Sequence, residues 1–156
     1  MSAPILPEGG KTMNEIRLTV LGEPKAQARH RHFQMKGVKH VQTYDPSKGK
    51  KGTFASVVQE YAPTEPLEGA IYLEVNFYMG RPKNHYGSGK NANVLKASSP
   101  EWHTGRPDID NLIKFIQDAL NKIYWRDDSI ICQITARKLY SEKPRTEIII
   151  KKLLSL

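Results

Sequence analysis

Between Ala70 and Met79 the apolar residues Ile71, Leu73, Val75, Phe77 and Met79 alternate with Tyr72, Glu74, Asn76 and Tyr78. Side chains on a strand point to opposite faces in turn, so this segment predicts a strand with one face buried. A second period appears further on. Leu112, Ile113, Ile116, Ala119, Leu120 and Ile123 recur at helical spacing, predicting an amphipathic helix from about Asp110 to Ile123. A half-buried strand and a one-sided helix each need something to cover them, and each suits the other. The chain therefore reads as an α+β (mixed α/β) domain, a single sheet flanked by helices.

Weaker signals fill in the order. Ile16, Leu18 and Val20 alternate as a strand that Gly22-Glu23-Pro24 ends. Val38, His40 and Gln42 suggest a short hairpin after Gly37. Asp45-Pro46-Ser47 opens a helix whose apolar face is Phe54, Val57, Val58 and Tyr61, closed near Pro63. Two final strands, Ser129 to Tyr140 and Arg145 to Leu154, turn at Glu142-Lys143-Pro144. Residues 1–14 read as a flexible tail, and 15–156 as one domain with a flexible basic loop at about 80–107. At 156 residues the chain is long enough to bury a core of its own. No apolar run approaches a membrane span and no secretory leader is evident, so the expected compartment is the cytoplasm. A single cysteine, Cys132, excludes an internal disulfide, and its strand pattern predicts a buried, inert thiol.

Charge is the next constraint. The chain carries 24 Lys+Arg against 16 Asp+Glu, a net charge of +8 that favours a polyanionic partner. Eight of these cations fall between Gly22 and Gly52, Lys25, Arg29 and Arg31 among them. Five more lie between Gly80 and Arg106, including Arg81 and Lys83. The acids gather elsewhere, with five aspartates between Asp108 and Asp128. Crowded carboxylates repel one another unless a cation sits among them. A tight acidic cluster in a cationic protein points to a metal site set in a phosphate-binding surface.

Pro107 disfavours helical geometry at Arg106, so the chain should arrive extended, with Asp108 and Asp110 pointing one way and Ile109 to the core. Asp110 is a natural N-cap for the following helix, whose polar face carries Asp110, Lys114, Gln117, Asp118 and Asn121. Hydrolysis of a phosphodiester needs a hard cation to activate water and neutralise charge on the phosphoryl oxygens. Two or three aspartates suit Mg²⁺, and a lysine one turn away supplies a further positive charge. Asp108, Asp110 and either Asp127 or Asp128 are the candidate ligands. The competing reading is a non-catalytic basic nucleic-acid-binding protein, in which these acids merely cap and solvate.

The runs Arg-Pro-Asp-Ile-Asp-Asn-Leu-Ile-Lys (106–114), Asp-Ala-Leu-Asn (118–121) and Trp-Arg-Asp-Asp-Ser (125–129) together resemble the core motif of the RusA-type Holliday junction resolvases. The opening Gly22 to Arg31, Tyr44-Asp-Pro46 and Met79-Gly-Arg-Pro-Lys83 are similar to the same family, so the likeness spans roughly residues 15–152. It implies a magnesium-dependent structure-selective endonuclease acting on four-way junctions in DNA recombination and repair, with Mn²⁺ as a substitute metal. It implies catalytic roles for Asp108, Asp110, Asp128 and Lys114, the three acids holding the metal. It also implies a homodimer, frequent in prophages, whose two sites suit a junction cut on two strands. Lys25, Arg29, Arg31, Arg81, Lys83 and Arg106 are the expected DNA contacts. No Gly-x-x-x-x-Gly-Lys loop is present, so no nucleotide cofactor is expected. His85 and His103 flank the basic loop as DNA contacts or bases without assignment. Asp118 is read as the partner of Lys122, and Trp125 as a packing anchor.

Overall fold

The computed structural model describes residues 15–28, 31–34, 41–44 (these two segments as backbone), 54, 59 and 61–154. The expected tail 1–14 and most of the expected helix around Val57 and Val58 lie outside the described residues. Four long strands form one mixed sheet: β1 (Glu15–Leu21), β4 (Ile71–Gly80), β5 (Ile131–Ser141) and β6 (Arg145–Lys152). Their order is β1-β6-β4-β5. β6 runs antiparallel to both neighbours, whereas β5 runs parallel to β4. β2 (Arg31–Gln34) and β3 (Val41–Tyr44) pair with each other in a separate two-stranded ribbon, not within the main sheet. This ribbon begins before Gly37, earlier than the alternation at 38–43 suggests.

The parallel β4–β5 pair decides where the site falls. Parallel neighbours require a crossover rather than a tight turn. The segment 81–130 makes that crossover, and its helix α1 (Ile109–Leu120) lies against the sheet. Leu112, Phe115, Ile116, Ala119 and Leu120 are buried from α1, against Leu73, Val75 and Phe77 of β4 and Ile148 and Ile150 of β6. Phe115 also meets Phe54 edge to face at 5.7 Å. The helical spacing recovers this face except for Phe115, which it leaves unassigned. α1 stops three residues sooner than expected because Asn121 turns extended and Lys122 takes a left-handed φ of 66°. Trp125, fully buried, anchors the turn as expected.

Three corrections follow from tertiary position. Cys132 is exposed, its Sγ donating to the Ile130 carbonyl at 3.4 Å. β5 is an edge strand, and residues 132–135 are exposed on both faces, so alternation there does not mean burial. Ile109 is exposed rather than core-facing, because it is already the first residue of α1. The segment 80–107 is not structureless. It holds two 3₁₀ turns, Lys83–His85 and Gly89–Asn91, a bridge between Tyr86 and Leu95, and a bridge between Trp102 and Leu139 that lines it along the edge of β5.

Candidate active site

The chain enters α1 through Arg106-Pro107, a cis peptide bond, and an extended Asp108 at φ −72°, ψ 145°. Asp108, not Asp110, therefore takes the N-cap position, yet its carboxylate makes no capping hydrogen bond. Asp110 sits in the first turn, where its Oδ1 accepts from the neighbouring Asn111 N–H at 2.9 Å. A negative charge there is favoured by the helix dipole. Both carboxylates are exposed. Lys114 follows one turn beyond Asp110, exposed and without an ion pair among the described residues.

The end of α1 brings the third acid. Asp127 and Asp128 are neighbours in sequence but not in role. Asp127 caps the 3₁₀ turn Asp128–Ile130, its Oδ2 accepting from Ser129 N–H at 3.0 Å. Those bonds to Ser129 hold its carboxyl below the usual aspartate range. Asp128 is half-buried, and its Oδ1 accepts from the indole Nε1 of Trp125 at 2.8 Å. Burial pushes its carboxyl above the usual range, the Trp125 bond opposes this, and the charges of Asp118 and Asp127 add to the rise. Asp118 thus acts on Asp128 electrostatically. The buried indole that anchors the turn also aims the acid.

A shallow cleft of about 500 Å³ opens beside Asp108, lined by Ala26, Gln27, Arg106, Pro107, Asp108 and Asn111. Gln27 N–H donates to the Asn111 carbonyl at 2.9 Å, so the segment leaving β1 is stitched to the first turn of α1. Glu23 accepts from Gly80 N–H at 3.1 Å, fixing the same segment to the end of β4, where a Cβ on residue 80 would lie 2.9 Å from that carboxylate. Lys25, exposed, lies between these two attachment points. Arg106 and Lys83 are exposed as well. Arg29 lies outside the described residues, as does the side chain of Arg31. Arg81 is occupied: its guanidinium donates to the Pro100 carbonyl at 2.7 Å and lies over the Tyr140 ring at 5.5 Å.

His85 and His103 both pack on Tyr140, each with its ring centroid 4.7 Å away. Burial, then the charge of Lys138, push His103 below the usual histidine range. That describes packing residues of the loop rather than bases presented to a substrate. As ligands, Asp108, Asp110 and Asp128 are oxygen donors of the kind a hard cation takes, and the first two are exposed. Among the described residues no three His, Cys, Asp or Glu side chains converge as a ready metal group. By type, these oxygen donors suit a hard divalent cation.

The RusA endodeoxyribonuclease model matches residues 22–151, spanning both acids at the start of α1 and Asp128 after it. The chain belongs to the RusA endodeoxyribonuclease family. RusA enzymes are hydrolases acting on DNA phosphodiester bonds, so the expected activity class holds. The chain is 32% identical over 123 residues to the crossover junction endodeoxyribonuclease rusA of Lactococcus phage r1t, covering 74% of this chain and 84% of that one. It is also 34% identical over 143 residues to the YqaN protein of Bacillus subtilis (strain 168), covering 90% of this chain and 99% of that one. Among the described residues no helix is long and apolar enough to cross a membrane.

Proposed function

We propose that this RusA-family protein resolves four-way DNA junctions by Mg²⁺-dependent phosphodiester hydrolysis, working as a homodimer in recombination and repair in the cytoplasm. The observation that carries the reading is the pair of exposed carboxylates, Asp108 and Asp110, at the start of α1, with Lys114 one turn beyond. Asp108, Asp110 and Asp128 would hold the metal, which supplies an activated water and charge neutralisation at the phosphoryl group. Lys114 offsets negative charge on the scissile phosphate or its leaving oxygen. Trp125 engages one oxygen of Asp128, and the other has no hydrogen-bond partner among the described residues. Lys25, Lys83 and Arg106 neutralise flanking phosphates, with Arg29 and Arg31 extending that surface. A pure DNA binder gains nothing from carboxylates that face phosphate, since without a cation they only repel it.

The test is incubation of the protein with a labelled four-way junction and with linear duplex, with Mg²⁺, with Mn²⁺ and with chelator. Junction cleavage that needs the divalent ion and is lost in Asp110→Asn, with junction binding retained, is the expected result. Binding without cleavage under every condition would make the protein a binder only.

A further inference from the structure

Lys138, on the edge strand β5, is thirty residues from Asp108 in sequence, and nothing in the local pattern marks it. The structure uses it three times on one short stretch. Its backbone carbonyl accepts from His103 N–H at 3.1 Å. Its ammonium donates to the Gly105 carbonyl at 2.6 Å and to the Pro107 carbonyl at 2.7 Å. The Glu101 carbonyl accepts from Tyr140 N–H at 2.8 Å, and Trp102 forms an isolated antiparallel bridge with Leu139, so residues 101–103 lie along the edge of β5. The side chain of Lys138 takes over where that pairing ends.

The Pro107 carbonyl belongs to the same planar peptide as the Asp108 N–H. Holding that oxygen sets the plane from which the Asp108 Cα and its carboxylate depart. Lys138 makes no ion pair with a carboxylate among the described residues, and its half-buried charge is met by carbonyls instead. A lysine that only solvates a surface has no reason to fix two carbonyls on either side of Arg106. We propose that Lys138 is a positioning residue for the reaction: it clamps the backbone at Gly105 and Pro107 so that Asp108 is presented beside Asp110 at the start of α1. This rests on the acidic site proposed above.

The clamp acts through geometry, so its loss should lower the cleavage step and leave DNA binding alone. Displacing a reacting group by about 1 Å costs on the order of a hundredfold. Lys138→Met keeps the stem and removes the donors. In this variant, single-turnover cleavage of a saturating junction should fall by about tenfold or more, with junction affinity within about twofold of wild type. The Mg²⁺ concentration for half-maximal cleavage should rise. Lys138→Arg keeps a charge and two donors for the two carbonyls and should recover a substantial part of the rate. Melting temperature controls for folding, and Lys138→Gln, with a neutral donor, replaces the methionine variant if that one does not fold. Wild-type cleavage by a folded Met or Gln variant overturns the proposal. So does a loss of affinity in parallel with rate, or failure of both variants to fold, since the lysine then serves DNA binding or the fold. Asp108→Asn, measured alongside, separates the two readings. Inactive Asp108→Asn with fully active Lys138→Met removes the clamp alone, whereas active Asp108→Asn removes the site on which it rests.

Discussion

Lys114 is exposed on α1 with no ion pair among the described residues, so its removal should cost the fold almost nothing. Lys114→Ala is expected to melt as wild type and to cut a saturating junction about a hundredfold more slowly, with Lys114→Arg a poor substitute. A folded, junction-binding Lys114→Ala that cuts at the normal rate would return this residue to the solvated surface. Asp128 behaves differently, because burial raises its carboxyl above the aspartate range. The folded protein holds that proton more tightly than the unfolded chain does. The resulting stabilisation is complete below the unfolded value of about 3.8 and is lost as pH rises through the higher folded value. At neutral pH the ionised carboxylate is therefore a liability to folding. In chelator, Asp128→Asn should melt above wild type at pH 7, with the gap closing as pH falls toward 4 and below. A lower melting temperature for the variant at pH 7 would mean that Asp128 is stabilised by a partner other than the Trp125 indole.

At the scale of elements, α1 does two jobs with opposite faces. Its buried side fixes it to the sheet, and its exposed side carries Asp110 in the first turn and Lys114 one turn on. Phe115 is fully buried and meets Phe54 edge to face. Phe115→Ala should cost about 3–5 kcal/mol in urea unfolding, the usual penalty for emptying a core aromatic position. A cost under about 1 kcal/mol would mean that the site helix is only loosely held. The sequence pattern located α1 and β4 because both depend on local periodicity. It placed the helix start two residues late in assigning the N-cap to Asp110, because either aspartate suits that position chemically. It left Phe115 unassigned because the residue sits at the margin of the apolar stripe, where only packing against Phe54 and the sheet decides.

On the scale of the whole molecule, a net charge of +8 should make junction binding fall steeply with salt, by about 0.9 log units per phosphate contact for each decade of salt. Arg106→Ala and Lys83→Ala should flatten that slope, since both side chains are exposed. Arg81→Ala should lower the melting temperature and leave the slope nearly unchanged, because its guanidinium is spent on Pro100 and Tyr140. A flattened slope in Arg81→Ala would put that residue back among the phosphate contacts. Sequence alone distinguished helix from strand where the apolar period was clear. It also singled out Asp108, Asp110 and Lys114, which are close along the chain and need only one helical turn to come together. It could not show that β5 would be an edge strand, and so it buried Cys132, which the structure exposes. Spacing alone left Asp127 and Asp128 as alternatives, the resemblance pointed to Asp128, and only the structure gives the two different partners, the Ser129 amide for Asp127 and the Trp125 indole for Asp128. Nor could sequence alone show Lys138 reaching Gly105 and Pro107, a contact made by the parallel crossover between β4 and β5. Local periodicity and short spacing are written along the chain, whereas exposure and long-range hydrogen bonding depend on which strands become neighbours, and that is settled only when the sheet closes over its core.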